Sequence, residues 1–160
     1  MKSIRHIKRW IKASIIEALK TELEGKPFLV EGDDRLTSKE YQHIELRIDG
    51  PYIKNTGTRR ERCAYIEVNL LCNSSRNEAN VYDRENLQGF LLSLLDRDFC
   101  ISRIGNVGKE PDDDETVVGS MQRIPSDTLK VSDFGMVDAA AETYQATAEC
   151  HYEMHFTIED

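Results

Sequence analysis

The sequence predicts a single α+β domain, a mainly antiparallel sheet with two helices packed on one face and long loops. Two segments repeat apolar residues every three or four positions, the period of a helix face. Others alternate apolar and polar residues, the period of a strand buried on one side and solvated on the other. Helix, two strands, helix, then further strands is the order, and it suits a sheet backed by helices. At 160 residues the chain lies within the usual range of one core, so the domain is taken as 1–160.

The first helix is expected over 3–24, where Ile4, Ile7, Ile11, Ile15, Ala18, Leu19 and Leu23 share one face. Gly25 and Pro27 end it. Its first half carries Lys2, Arg5, Lys8, Arg9 and Lys12 without an acid. The short apolar run of Phe28, Leu29 and Val30 leads into a polar loop over 31–39, with a turn at Gly32, Asp33 and Asp34. A strand follows over 41–49, with Ile44, Leu46 and Ile48 inward and Glu45, Arg47 and Asp49 outward. Gly50 and Pro51 are expected to stop it, and 52–62 to form a loop to a second strand over 63–72. The two strands make an antiparallel hairpin with a long connection. A polar linker, 73–80, precedes a helix over 81–97 marked by Leu87, Phe90, Leu91, Leu94 and Leu95. Further strands are expected over 99–104, 116–123 and 128–134, with a loop over 105–115 and no decisive pattern over 135–143. The final strand, 145–158, has the clearest alternation, Ala146, Ala148, Cys150, Tyr152, Met154, Phe156 and Ile158 against Thr147, Glu149, His151, Glu153, His155 and Thr157.

Composition narrows the function classes. With 39% hydrophobic and 31% charged residues, the chain is too apolar for a disordered segment and too polar for a membrane protein. Its longest uncharged apolar stretch, Asn86 to Leu95, is half of the roughly 20 residues a membrane helix needs. The uncharged run Ala13 to Ile16 is too short for a signal-peptide core, so export by that route is not expected. Cys63, Cys72, Cys100 and Cys150 form no CxxC pair, which argues against a zinc ribbon or a redox motif and for reduced, mostly buried thiols. The net charge of −8 divides into +4 over residues 1–26 and −12 over 27–160. Phosphate would be repelled over most of the body, so non-specific nucleic-acid binding is not expected there.

No catalytic, metal or cofactor site is assigned from these residues. His151, Glu153 and His155 share the polar face of the last strand, but the two histidines stand about 13 Å apart along it, too far to converge on one ion. A third ligand would have to come from another strand. The acidic run from Glu110 to Glu115 fails the EF-hand pattern, since counting from Asp112 puts Thr116 fifth and Val117 sixth. There is no GxSxG turn, P-loop or GxGxxG pattern. The chain is therefore expected to be non-enzymatic. The basic first helix, with Trp10 among its cations, is read as packing on the sheet in preference to lying on a membrane or on DNA, because Glu17, Glu22 and Glu24 close it. Its cations Arg5, Lys8, Arg9 and Lys12, with Arg59, Arg60 and Arg62, complement the acids Glu110, Asp112, Asp113, Asp114 and Glu115. Such a pair of surfaces suits a head-to-tail contact between identical subunits, closing into a ring or continuing as a helix. The competing class is a monomeric ligand-binding domain or a small metal-assisted enzyme using His151 and Glu153.

The basic N-terminal helix, the segment Ile44-Glu45-Leu46-Arg47-Ile48-Asp49-Gly50-Pro51-Tyr52, the basic loop, the strand Tyr65-Ile66-Glu67-Val68-Asn69-Leu70-Leu71, the helix from Asn86 to Leu95 and the long last strand resemble tail terminator proteins of tailed bacteriophages. The resemblance spans most of the chain and is architectural. It implies a virion protein of the tail and neck, made in the host cytoplasm. It also implies a homo-oligomeric ring, commonly hexameric, that caps the tail tube and joins it to the neck or connector protein. Such proteins use no cofactor and catalyse nothing. Genomic DNA passes through the ring without specific binding, which suits a body of net negative charge. A stopper or connector-completion protein of the same neck is the nearest alternative.

Overall fold

The computed structural model describes residues 4–30, 43–75, 81–103, 117–140 and 143–158. Its elements are α1 (Ile7–Glu22), β1 (Phe28–Val30), β2 (His43–Asn55), β3 (Glu61–Ser75), α2 (Val81–Leu95), β4 (Phe99–Ser102), β5 (Val117–Arg123), β6 (Lys130–Asp138) and β7 (Thr143–Thr157). The α+β class is as expected, but the sheet is mixed. It runs β1-β2-β3-β7-β5-β4, with β6 also laid on β7. β1 pairs parallel with β2, Phe28 opposite Ile44 and Val30 opposite Leu46. The 12 residues between them, 31–42, give the length a parallel connection needs.

Alternation decides what is buried. Ile44, Leu46, Ala64, Ile66, Val68, Leu70, Ala148, Cys150, Tyr152 and Met154 all turn to one side of the sheet and are closed from water. Against them pack Ile7, Trp10, Ile11, Ile15 and Leu19 of α1 and Leu91, Leu94 and Leu95 of α2, in one core with Phe99, Ile101 and Met121. Specific polar contacts fix the helices in place. Ser102 N donates to Ser14 Oγ at 3.0 Å, tying α1 to β4. Arg97 reaches Glu22 at 2.8 Å, joining the ends of the two helices.

Several expected boundaries shift. α1 starts at Ile7, so Arg5 precedes it, and α2 stops at Leu95. β2 does not stop at Gly50 and Pro51 but runs on to Asn55, leaving residues 56–60 as the connection to β3. Proline is tolerated because it costs a strand only a donor it has no use for at an unpaired side. Beyond Leu46, β2 has no described partner opposite β3, and the β2–β3 register shifts between Asp49 and Tyr52. β3 continues past Cys72 to Ser75, shortening the expected linker, and β6 continues to Asp138. β7 begins at Thr143, two residues before its expected start. The expected loops at 31–39 and 105–115 lie outside the described residues.

Gly50 is the position where backbone on the facing strand of this hairpin leaves no room for a side chain. Its φ is +102°, and an added Cβ would stand 2.8 Å from the Tyr65 carbonyl oxygen. That oxygen is backbone and cannot swing aside. Gly50→Ala is expected to destabilise the fold by about 3 kcal/mol, from the backbone conformation and the overlap together. Urea unfolding that shows a loss under about 0.5 kcal/mol would mean that the hairpin yields at this point.

Candidate functional site

Helices cover one side of the sheet, and the other side of β2, β3 and β7 is a polar surface. Across it run rows of cross-strand neighbours: Asp49, Glu67 and His151 in one, Lys54, Cys63 and His155 in another. This face holds two clusters of ionisable groups.

The first surrounds His151. Its Nδ1 lies 2.6 Å from Asp127 Oδ2, and its Nε2 lies 3.4 Å from Glu67 Oε2. The His151 backbone N–H also donates to Asp127 at 3.0 Å. Burial works against a charged ring here, but the hydrogen bond and charge of Asp127, joined by Glu67, outweigh it and hold the His151 pKa above its ordinary 6.5. Burial likewise acts to raise Asp127. The donors from His151 and from the Thr128 backbone overcome it and keep Asp127 below its ordinary 3.8. His151 contributes stability that is complete below 6.5 and lost as pH rises through its elevated value. Asp127 contributes stability that is complete above 3.8 and lost as pH falls through its depressed value. The pair is therefore most stabilising between those limits. Asp127→Asn is expected to remove much of the stability the protein gains at about pH 5.5 over about pH 8.5, measured by urea unfolding. An unchanged difference would show that the pair is not linked to folding.

The second cluster is Cys63, Glu153 and His155. In the β3–β7 register Cys63 faces His155 directly, and Glu153 stands opposite Tyr65, diagonal to Cys63. Cys63 Sγ lies 3.7 Å from His155 Nε2 and 4.0 Å from Glu153 Oε2. His155 Nε2 is 3.8 Å from Glu153 Oε1. The three donor atoms all lie within 4.8 Å of one another. Cys63 is fully buried beneath the two others, while the His155 side chain is 63% exposed. Cysteine and glutamate approach the same ring nitrogen, so the carboxylate does not orient the imidazole through its second nitrogen, as nucleophilic catalysis would require. The remaining buried thiols are inert for another reason. Burial pushes Cys72 up to about 12 and Cys150 upward as well, so both stay protonated.

A third feature is the edge strand β6. Among the described strands it pairs only with β7. Gly135, at φ +66°, marks a register shift after Asp133, a bulge that turns Phe134 outward. Phe134, Met136 and Val137 are 57, 46 and 49% exposed.

The sequence-predicted interface residues fall in two groups. Lys8 and Arg9 are exposed on α1, Lys12 is half-buried, and Arg5 lies in the turn before it. Arg59 and Arg60 sit at the tip of the β2–β3 hairpin. Arg62 is turned onto local backbone, donating to the carbonyls of Arg59 at 2.6 Å and Glu61 at 2.9 Å. Glu110, Asp112, Asp113, Asp114 and Glu115 lie outside the described residues, so only the basic half of the complementary pair is in view. Of the three last-strand residues weighed as ligands, Glu153 and His155 come together and His151 stands apart. Cys63 is the member that periodicity missed. The signal available was that Cys63 lies on the polar face of its strand, where a small apolar thiol is out of place.

No helix among the described residues is long and apolar enough to cross a membrane. Among the described residues, fold and surface define an α+β protein with an open polar sheet face and an edge strand, β6, that exposes apolar side chains. No protein-family model matches the chain, and no curated protein matches it at a significant level.

Proposed function

We propose that the chain is a non-enzymatic assembly subunit that joins copies of itself into a closed ring. The observation that carries this reading is the edge of β6, which among the described strands pairs only with β7. Monomeric sheet proteins protect such edges with charge, proline or a covering element, because unpaired N–H and C=O groups invite another strand. Here Lys130, Asp133 and Asp138 charge the strand, yet three large apolar side chains, Phe134, Met136 and Val137, stand exposed between them. A second copy is the occupant, since strand addition would satisfy the backbone groups and cover Phe134, Met136 and Val137 in one contact. The division of charge between residues 1–26 and the remainder favours a head-to-tail geometry, of which the ring is the closed form.

The sequence resemblance gives the ring its place. We infer a tail terminator of a tailed bacteriophage, most simply a hexamer, that caps the tail tube and meets the neck protein while DNA passes through. A stopper or another neck component remains the alternative within the same class. Light scattering on the size-exclusion peak is expected to give a multimer at low salt, and negative-stain images a ring. A monomer mass at every concentration and at low salt would overturn the proposal. Binding of the purified ring to tail tubes but not to isolated necks would favour terminator over stopper.

A further inference from the structure

We propose that Cys63, Glu153 and His155 form a binding site for a thiophilic divalent cation, with Zn²⁺ the best match. Around a tetrahedral zinc, bond lengths of about 2.0–2.3 Å place the ligand atoms roughly 3.3–3.6 Å apart. Cys63 Sγ and His155 Nε2 stand 3.7 Å apart, and Glu153 approaches them through its two oxygens, Oε2 at 4.0 Å from Cys63 and Oε1 at 3.8 Å from His155, so that one donor atom from each residue gives a set within 4.8 Å. Cys63 and His155 are already near that spacing, and a rotation of the Glu153 carboxylate that brings one oxygen in by about an ångström completes the set. His155 and Glu153 project from β7 into partly open space, while Cys63 is fixed by burial on β3.

The chemistry of the donor set selects the ion. Thiolate and imidazole ligands favour zinc and related soft or borderline cations, whereas magnesium and calcium take oxygen donors. The thiolate and the carboxylate together neutralise a dication, so the loaded site carries no net charge at the buried end of the cluster. On binding, the Cys63 S–H bond breaks and its proton passes to solvent. His155 binds through its Nε2 lone pair, with a proton on Nδ1. Three protein ligands leave a fourth position. His155 also borders an open groove lined by Thr56, Gly57, Glu61, Arg62 and Thr157, from which water can complete the tetrahedron.

Two observations distinguish this cluster from an ordinary polar strand surface. Its ligands come from two strands that meet by register, Cys63 opposite His155, so the site exists only in the folded chain. It also lies beside the closure of the β2–β3 hairpin, where Ile158 N donates to the Arg60 carbonyl at 2.9 Å. A bound ion would hold β3 and β7 together there, raising stability with metal concentration.

The site is independent of the ring, so a monomer that binds zinc would support this inference while overturning the other. The full chain, purified with chelator, is dialysed against Zn²⁺ and assayed by elemental analysis, with Mg²⁺ as the control. One equivalent of zinc and no retained magnesium are expected. Co²⁺ in place of zinc should give the absorption of a cobalt–thiolate bond. Cys63→Ser should abolish that band, His155→Gln should weaken zinc binding by about tenfold or more, and Cys100→Ser should change neither. His155→Gln alters an exposed side chain, so it decides the matter if Cys63→Ser does not fold. Less than stoichiometric zinc at micromolar concentration, or binding unaffected by His155→Gln, overturns the site.

Discussion

Tyr152→Ala is expected to destabilise the protein by about 3–5 kcal/mol, a large share of the 5–15 kcal/mol that holds a typical domain together. Tyr152 is fully buried in the middle of β7. Its ring meets Phe99 edge-on with centroids 5.3 Å apart, and its hydroxyl donates to the Leu95 carbonyl at the end of α2. Burial keeps the hydroxyl protonated well above its ordinary range, so the donor is present at every pH the fold survives. Truncation opens a cavity between sheet and helix and strands a carbonyl that the helix itself cannot satisfy. Tyr152→Phe preserves the packing and isolates the hydrogen bond, with an expected cost of about 1–3 kcal/mol. Urea unfolding of both variants separates the two contributions. A loss near 1 kcal/mol for Tyr152→Ala would show that α2 does not depend on this anchor.

Phe134→Asp combined with Met136→Asp is expected to leave a folded monomer that no longer assembles. Both side chains are exposed in the single subunit, so removing them changes monomer stability by only about 0.5 kcal/mol. At an interface the same change deletes an aromatic anchor and puts two carboxylates on a pairing edge. Truncating such an anchor alone is worth about 2 kcal/mol or more, roughly a thirtyfold loss in affinity. Circular dichroism and unfolding should match the parent chain while light scattering reports the monomer. Assembly equal to that of the parent would exclude β6 as the contact.

Elements whose period is complete within their own residues were legible from sequence. The stripe from Ile7 to Leu19 in α1 and the unbroken alternation of β7 needed no tertiary information, and both are placed as expected to within a few residues. Gly50 and Pro51 misled because a proline stops a strand only where both sides are paired. Whether β2 has a second neighbour beyond Leu46 is a property of the sheet and not of the segment. β1 was hidden for a similar reason, as three residues carry too little pattern to declare a strand. The Cys63 cluster depended on strand order. Alternation put His155 and Glu153 on the polar face, but only the β3–β7 register, joining residues 92 apart, brings Cys63 to them. The same register separates His151 from the cluster and gives it to Glu67 and Asp127.

β7 is the strand on which the sheet depends, and it follows the other eight described elements along the chain. Until Thr157 has cleared the ribosome, β3 lacks a partner on the side away from β2, and β6 and the β4–β5 pair have no sheet to join. Helix α1 and the β2–β3 hairpin can form early, since their contacts are local. The nascent chain then waits with unpaired strand edges, and a product truncated before Thr143 would expose all of them together. Selection of subunits that include β7 can thus take place at folding, because only a chain that reaches β7 completes the sheet that carries β6.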